Sequence, residues 1–223
     1  MGASERRFSG RGYCPLSSSI IKDCTGLVVA GGEGRRMAGQ DKGLLAWGSG
    51  TLASHAAQRF HALGLPVLVS ANRNQKDYEA QGLKTVSDIR KGYQGPLAAL
   101  EAGLTAIKTS WLLAIPCDNP ALNEALIIQL WEKKPPHHLA VYARCGEHSH
   151  PICCAIHRSC LPALSSFLEG EQRRVMEFWK TINAFAVDLG LENEAYFANA
   201  NTPEDYAQLR ARDGHTPLKD DVC

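Results

Sequence analysis

The amino-acid sequence predicts an α/β protein with a mostly parallel central sheet, and three observations support that fold class. From residue 25 onwards, short apolar runs alternate with amphipathic segments, which is the pattern of consecutive βαβ units. The first run, GLVVA at 26–30, is apolar throughout, as expected of a strand that is buried on both faces. The chain of 223 residues is also long enough to bury a full α/β core within one domain.

Each further element rests on a local pattern. Residues 31–43 are rich in glycine and basic side chains and are predicted to form a loop. The helix predicted over 51–64 has apolar residues at helical spacing and ends on Gly64, a suitable cap. The helix over 95–107 carries a proline just inside its start, where proline is favoured. The remaining strands are predicted over 66–70, 83–88, 111–118, 139–144, 152–156 and 184–188, and the remaining helices over about 74–81, 123–133, 158–169, 172–181 and 203–212.

The composition excludes several classes of partner. The hydrophobic fraction is 44%, the charged fraction is 21% and the formal net charge is +1. This balance is ordinary for a globular protein and lacks the basic excess typical of proteins that bind nucleic acid or a membrane surface. No apolar run approaches the roughly 20 residues that a membrane-spanning helix needs. We therefore expect neither a nucleic-acid partner nor a membrane partner.

The eight cysteines do not indicate a disulfide framework, because no secretory signal precedes them and the core is ample. Cys153 and Cys154 lie in the apolar run ICCAI, where thiols behave as small hydrophobic side chains. We expect these thiols to be reduced and mainly structural, and the protein to be cytoplasmic.

The two ends of the chain differ from its middle. Residues 1–22 contain scattered arginine, serine and glycine without periodicity, and no apolar segment follows Arg6 and Arg7 as a twin-arginine signal would require. We expect a disordered leader over 1–22, or translation that starts further downstream. A single domain is expected over 23–212, and a loose tail over 213–223.

The loop after the first strand has the composition of a phosphate-binding site. Gly31, Gly32 and Gly34 would allow the backbone N–H groups to approach a triphosphate closely. Arg36 and Lys42, together with a second arginine at 35, supply positive charge. The spacing matches neither the P-loop nor the dinucleotide-binding glycine pattern.

Two other predicted strands end in carboxylates, Asp88 and Asp118. Ligands of open α/β sheets bind beyond the carboxyl ends of the strands, so both aspartates belong to the same edge as the glycine-rich loop. Mg²⁺ prefers one or two protein carboxylates together with phosphate oxygens and water. An aspartate at such a position also commonly caps a helix, and Asp118 is the better metal candidate of the two.

These residue types suit nucleotidyl transfer. In that reaction an acceptor phosphate attacks the α-phosphorus of a nucleoside triphosphate and pyrophosphate leaves, so the protein mainly positions groups and neutralises charge. Lys42, Arg36 and a Mg²⁺ ion on Asp118 would do so without a side-chain nucleophile.

The sequence also resembles a known family, the molybdenum cofactor guanylyltransferases, which have a three-layer Rossmann-like nucleotide-diphospho-sugar transferase fold. The similarity covers roughly residues 25 to 212. It is carried, in order, by the segments AGGEGRRMAGQDKGLL, VSANRNQKDY, GLKTVSD, GPLAAL, IPCDNP, HSHPICCAI, RRVMEF and FANANTPED.

The resemblance implies transfer of GMP from GTP to the terminal phosphate of molybdenum–molybdopterin, with Mg²⁺ as cofactor. It also implies transient contact with cofactor-synthesis proteins or apo-molybdoenzymes. Carried onto this sequence, it assigns phosphate contact to Lys42 and both Mg²⁺ and nucleotide binding to Asp118. The other nucleotide-binding positions that it implies are Val29, Ala30, Gly31, Gly32, Ser70 and Asp88.

Two groups of residues complete what the resemblance implies. The family usually has asparagine where this chain has Ser70, whose side chain is shorter and has a single donor; Asn72 is a matched family residue nearby. The pterin half of the cleft would be lined by His150, Pro151, Arg173, Arg174, Asn199 and Asn201.

Three alternatives remain open at the level of sequence. A related enzyme of the same fold could use CTP or a sugar phosphate, although related cytidylyl enzymes tend to carry Ala-Ala-Gly where this chain has Ala30-Gly31-Gly32. A non-catalytic nucleotide-binding regulator would have less need of both Lys42 and Asp118. A structural Zn²⁺ site could be built from a compressed set of thiols and imidazoles, namely Cys145, His148, His150, Cys153 and Cys154.

Overall fold

The computed structural model describes residues 23–31, 40–92 and 94–212. The predicted leader over 1–22 and the predicted tail over 213–223 lie outside these described residues.

A seven-stranded sheet forms the centre of the described structure. Its strands are β1 (Cys24–Val29), β4 (Val67–Ser70), β5 (Thr85–Val86), β6 (Trp111–Pro116), β7 (Ala140–Cys145), β8 (His148–His157) and β9 (Phe185–Asp188). A separate two-stranded hairpin consists of β2 (Ala46–Trp47) and β3 (Gly50–Thr51).

The order of strands across the sheet is β5-β4-β1-β6-β8-β7-β9. Strands β1, β4, β5 and β6 pair in parallel, and β7 pairs in parallel with β9. Strand β8 is antiparallel to both of its neighbours because the tight turn after β7 reverses the chain. The predicted mostly parallel sheet is therefore confirmed.

Helices cover both faces of the sheet. The α-helices are α1 (Leu52–Ala62), α2 (Gln75–Glu79), α3 (Pro96–Ala106), α4 (Glu124–Glu132), α5 (Leu161–Glu169), α6 (Val175–Thr181) and α7 (Pro203–Arg212). The described residues also form 3₁₀ turns at Lys42–Leu44, Arg158–Cys160 and Leu191–Phe197. The sequence places caps where helices begin: Thr51 and Ser54 form a capping box at α1, and α3 starts with its proline.

The alternation of side chains along β1 divides the core into two layers. Val28 faces the cluster that contains Phe60 of α1 and Leu126 of α4. Leu27 faces the cluster that contains Leu100 of α3, together with side chains of α5 and α6. Burying one such large side chain contributes roughly 1.5–3 kcal/mol. The sheet is thus the middle of three layers, as the resemblance implied.

Several boundaries differ from the sequence prediction. Strand β5 is only two residues long and pairs with β4 alone. Neither the β2–β3 hairpin nor the turn at 191–197 was predictable from periodicity, since such short segments contain no full repeat. Within the described part of the chain, no helix is long and apolar enough to cross a membrane.

Candidate functional site

The carboxyl ends of four parallel strands meet at one edge of the sheet. Strand β1 ends at Val29, β4 ends at Ser70, and β6 leads through Cys117 to the next acidic residue. Backbone hydrogen bonds continue past the strand ends: the N–H of Ala30 donates to Ser70 at 3.1 Å, and the N–H of Cys117 donates to Val29 at 3.1 Å. The structure therefore brings most of the predicted site residues to one place. Gly32 and Arg36, which were also predicted, lie outside the described residues.

Lys42 is held between two oxygen atoms at this edge. Its Nζ donates to Oδ2 of Asp118 at 3.0 Å and to Oδ1 of Asn201 at 2.6 Å. These residues follow the glycine-rich loop, β6 and the last 3₁₀ turn, so three distant segments converge on one ammonium group. About a fifth of the Lys42 and Asp118 side chains remains exposed. The pair is thus ordered and still accessible to a ligand.

A buried carboxylate fixes the backbone on which Lys42 stands. Oδ1 of Asp41 accepts from the Tyr78 hydroxyl at 2.6 Å and from the N–H of Gly43 at 3.2 Å. Oδ2 accepts from Nδ2 of Asn74 at 3.1 Å. Burial and the bond to Asp41 raise the pKa of Tyr78 well above its ordinary value, so the phenol stays protonated and keeps donating.

The small size of Gly43 is required by the same contact. A Cβ atom at this position would collide with the Tyr78 hydroxyl and would lie 2.9 Å from the Cβ of Ala30. The turn at Lys42–Leu44 therefore packs directly against the strand end, and Lys42 has little positional freedom.

A buried asparagine ties the C-terminal part of the chain to Asp118. Asn119 donates from Nδ2 to the Phe197 carbonyl and to Oδ1 of Asn199, the latter at 2.7 Å. The N–H of Ala200 donates to the Asp118 carbonyl at 2.8 Å. These bonds fix the path of the chain that leads to Asn201. Two of the predicted pterin-side residues, Asn199 and Asn201, therefore lie at the site.

A second polar cluster lies beyond the ends of β4 and β5. Nδ2 of Asn72 donates to Oδ2 of Asp88 at 2.7 Å, and the N–H of Asp88 donates back to Oδ1 of Asn72 at 2.9 Å. Burial raises the pKa of Asp88, and the hydrogen bond from Asn72 offsets this only in part.

Two buried oxygens of this cluster have no hydrogen-bond partner among the described residues: Oδ1 of Asp88 and Oγ of Ser70. The Ser70 hydroxyl lies 3.5 Å from the point that a Cβ on Gly31 would occupy. Buried polar atoms are normally hydrogen-bonded, so this end of the site is suited to a ligand with polar edges.

The two aspartates lie at opposite ends of the site. Asp88 follows β5 and Asp118 follows β6, and β4 and β1 lie between those strands. Three interstrand spacings of about 4.8 Å place them roughly 14 Å apart. They cannot ligate one ion together, which limits the metal prediction to Asp118 alone.

The other predicted pterin-side residues have different surroundings. Nε2 of His150 lies 3.0 Å from Oε2 of Glu194, and the imidazole stacks on Phe197 with a ring separation of 4.1 Å. Arg173 contacts Gln94 and backbone carbonyls near the end of α5, and Arg174 pairs with Glu177 on the surface. The Pro151 carbonyl accepts from Trp179. Only His150 of these is linked, through Phe197, to the residues around Asp118.

The described cysteines are free and buried, which fits the predicted reduced, structural thiols. Burial raises the pKa of Cys24 and of Cys154 to about 12. Burial and the neighbouring Asp118 also raise the pKa of Cys117, so this thiol is no nucleophile despite its position. Cys153 and Cys154 belong to opposite core layers, so the five-residue Zn²⁺ set considered from sequence does not meet as a whole, although Cys145, His148 and His150 lie near one another on the β7–β8 hairpin.

Sequence reasoning missed Asp41 and Asn119, although both lie inside segments that it quoted. Each is a polar residue directly next to a predicted site residue, which was the available signal. Their function is to hold backbone, and that depends on Tyr78 and Phe197, which the sequence does not connect to them.

Comparison with known proteins gives a consistent result. Residues 26–184 match the family model described as the MobA-like NTP transferase domain. The chain is 39% identical over 181 residues to a molybdenum cofactor guanylyltransferase of Yersinia pseudotuberculosis, covering 81% of this chain and 92% of that protein. A protein of the same name from Yersinia pestis is 38% identical over the same share of both chains.

Solved structures share the fold at low sequence identity. A molybdopterin-guanine dinucleotide biosynthesis protein A from Archaeoglobus fulgidus superposes with a TM-score of 0.70 at 16% identity, covering 86% of this chain and all of that one. A cytidylyltransferase from Leptospira borgpetersenii gives 0.66 at 14% identity, covering 88% and 89%. The fold is therefore shared by a molybdopterin-guanine dinucleotide biosynthesis protein and a cytidylyltransferase.

Proposed function

The chain belongs to the family of MobA-like NTP transferases, and we propose on that basis that it is a molybdenum cofactor guanylyltransferase. In this reaction the terminal phosphate oxygen of molybdenum–molybdopterin forms a bond to the α-phosphorus of GTP. The bond from that phosphorus to the bridging oxygen breaks, and pyrophosphate leaves. The product is molybdopterin guanine dinucleotide.

The observation that carries the proposal is the position of Lys42 between Asp118 and Asn201, beside the end of β1. An ammonium group fixed at a strand edge stabilises the negative charge that grows on phosphate oxygens in the transition state. Because Asp41 and Gly43 fix its backbone, this charge is already in place before the substrates react.

Asp118 fits the Mg²⁺ ion that a nucleotidyltransferase of this kind requires. Its carboxylate is a hard oxygen donor and is partly exposed. Mg²⁺ bound there would neutralise charge on the triphosphate. Within the described residues no ionised thiol or other activated nucleophile faces Asp118, so direct attack by the acceptor phosphate is the route that the site supports.

The cluster of Asn72 and Asp88 favours guanine over the other bases. Guanine presents two adjacent donors, N1–H and the N2 amino group, to a carboxylate. Oδ1 of Asp88 is buried and has no described partner, and burial raises the pKa of this carboxyl. Cytosine and adenine each offer one donor with an adjacent acceptor, which a carboxylate accommodates less well.

Ser70 stands where the family usually has asparagine, and we propose that its side chain has a different role. Its hydroxyl is fully buried next to Gly31 and offers one short-range donor or acceptor. Asn72, which already contacts Asp88, supplies the amide function nearby. We infer that the backbone of Val29, Ala30 and Gly31 contacts the nucleotide at the end of β1. The side chains of Ser70 and Asn72 lie next to Gly31 there.

Partners and location follow from the same chemistry. GTP and molybdenum–molybdopterin are the proposed substrates, with transient contact to cofactor-synthesis proteins or apo-molybdoenzymes for delivery of the product. A cytoplasmic location is supported by the free thiols of the described cysteines.

Calorimetric titration with GTP, CTP and ATP, each with and without Mg²⁺, tests the proposal. We expect GTP to bind most tightly, Mg²⁺ to strengthen binding, and Asp118→Asn to remove most of that strengthening. The exposed Asp77→Asn on α2 is the matched control and should behave as the parent protein. Preference for CTP would instead make the protein a cytidylyltransferase of the same fold, and no nucleotide binding would refute the enzyme assignment.

A further inference from the structure

A cluster of potential metal ligands lies where the β7–β8 hairpin meets the 3₁₀ turn at Leu191–Phe197. Cys145, at the end of β7, is fully buried, while His150 and Glu194 are partly exposed. One ligand atom from each, the thiol sulfur, an imidazole nitrogen and a carboxylate oxygen, lies within 4.8 Å of the other two.

The register of the hairpin explains why these side chains converge. Cys145 pairs directly with His148 across the two strands, and Ala143 pairs with His150. Since side chains two residues apart share a face of a strand, Cys145, His148 and His150 lie on one face of the hairpin. Glu194 approaches that face from the 3₁₀ turn, with Oε1 at 3.5 Å from Nδ1 of His148.

We propose that Cys145, His150 and Glu194 bind a divalent transition-metal ion of borderline softness, with Zn²⁺ as the natural occupant. A thiolate, an imidazole and a carboxylate are together the ligand types that Zn²⁺ accepts, whereas Mg²⁺ and Ca²⁺ select oxygen ligands alone. The site is separate from the proposed Mg²⁺ position at Asp118, and it does not depend on the proposed guanylyl transfer.

The geometry requires only small side-chain adjustments. Zn²⁺ bonds of about 2.0–2.3 Å place tetrahedral ligand atoms roughly 3.3–3.8 Å apart. The present separations are at most 4.8 Å, and the contact of 3.0 Å between His150 and Glu194 would be exchanged for two metal bonds. Stacking on Phe197 already fixes the imidazole plane.

The electrostatic surroundings favour a cation. The carboxylates of Asp188, Glu192 and Glu194 add negative potential at the Cys145 thiol. A metal ion would replace the thiol proton and compensate the same negative charges. The exposed His148 imidazole or a water molecule would complete a four-coordinate site.

The proposed ion would also stiffen one wall of the nucleotide site. It would join the hairpin to the turn that ends at Phe197, whose carbonyl is held by Asn119 beside Asp118. Binding should therefore increase the protection of amides in 191–201 against hydrogen exchange, a readout that needs no substrate.

Cobalt substitution of the full-length protein tests the site directly. Co²⁺ added to metal-free protein should give a thiolate-to-metal charge-transfer band and visible bands of a tetrahedral complex, and Zn²⁺ should displace them. In Cys145→Ser the charge-transfer band should disappear, whereas Cys160→Ser, a buried thiol outside the cluster, should keep it. The double variant of Cys14→Ser and Cys223→Ser should also keep it, because those thiols are not part of the proposed site.

Glu194→Gln keeps the shape of the partly exposed side chain, so misfolding would not explain a loss of metal binding in this variant. We expect at least roughly tenfold weaker Zn²⁺ binding in a competition assay with a chromogenic chelator, and no change in Glu132→Gln, an exposed control on α4. If Co²⁺ gives no charge-transfer band, or if the band survives Cys145→Ser, the proposal is wrong. In that case His150 and Glu194 form only a hydrogen-bonded pair.

Discussion

At the scale of single residues, the charged side chains of the site are fixed in position by hydrogen bonds to their neighbours. Lys42 is accessible to a ligand, yet both of its described partners are fixed by other bonds: Asp118 through its backbone carbonyl and Asn201 through the segment that Asn119 holds. Such preorganisation is what electrostatic catalysis requires, since the protein need not rearrange while charge develops.

Lys42→Ala should therefore reduce turnover more than it weakens GTP binding. We expect kcat to fall by roughly 10²–10³-fold, the usual effect of removing one such charged donor, with a much smaller rise in the dissociation constant. Steady-state kinetics and calorimetry on the same samples measure the two quantities. The exposed Lys180→Ala on α6 serves as the control, and equal losses in both quantities would reduce Lys42 to a binding residue.

The raised pKa of Asp88 leads to a prediction about how the stability of the protein depends on pH. Because burial raises its pKa in the folded protein, the folded state holds its proton more tightly than the unfolded state does. Between the ordinary pKa, near 4, and the raised value, the free energy of unfolding should therefore fall as pH rises. Asp88→Asn should remove this part of the pH dependence in urea denaturation series, and an unaltered pH profile would contradict the assignment.

At the scale of elements, helix α3 positions the loop that follows Asp88. Its buried Glu101 accepts two bonds from Arg90, both at 2.9 Å, and one from Ser165 of α5 at 2.8 Å. Burial opposes ionisation of Glu101, but these hydrogen bonds outweigh it and hold its pKa below the ordinary value. The helix is thereby joined to the loop on one side and to α5 on the other.

Glu101→Gln should lower the free energy of unfolding at neutral pH by about 2–3 kcal/mol, because a charged hydrogen-bond acceptor is lost in a buried position. The stabilising contribution of Glu101 should be lost in the parent protein as pH falls through the lowered pKa. Glu169 contacts the same Arg90 at 3.8 Å but is mostly exposed, so Glu169→Gln should change stability by less than about 0.5 kcal/mol. Urea denaturation of the three proteins distinguishes these cases, and equal losses in both variants would contradict the role assigned to Glu101.

At the scale of the whole molecule, the C-terminal part of the chain completes a site that the N-terminal half begins. Asn119 is the link, because it follows β6 and bonds to Phe197 and Asn199, about 80 residues later. The family model ends at residue 184, but the contact of Lys42 with Asn201 shows that the segment beyond it belongs to the same structural unit.

Asn119→Ala should therefore affect both stability and activity. We expect a loss of about 2 kcal/mol, since two hydrogen bonds disappear and a buried carbonyl loses its donor, together with lower turnover as Asn201 loosens. Asn193 also donates to a backbone carbonyl in this region, yet it does not contact Asn199. Asn193→Ala should cost about 1 kcal/mol and leave turnover largely intact, and a full loss of turnover there would argue against a specific role for Asn119.

The sequence by itself determined the fold class and which residues are candidates for the site. Strands such as β1 and β6 and helices such as α3 were predictable because their apolar runs, spacing and caps are local properties of the chain. The convergence of Lys42 and Asp118 was also predictable, since the segments that follow parallel strands collect at one sheet edge.

Only the tertiary structure decided which of these residues touch. The order of strands separates Asp88 from Asp118 by two intervening strands, and the return of the chain brings Asn201 to Lys42 across 159 positions. The convergence of Cys145 and His150 with Glu194 likewise needs both the hairpin register and the packing of a 3₁₀ turn against it. Such contacts depend on how elements pack around a shared core, and local sequence patterns carry no record of that packing.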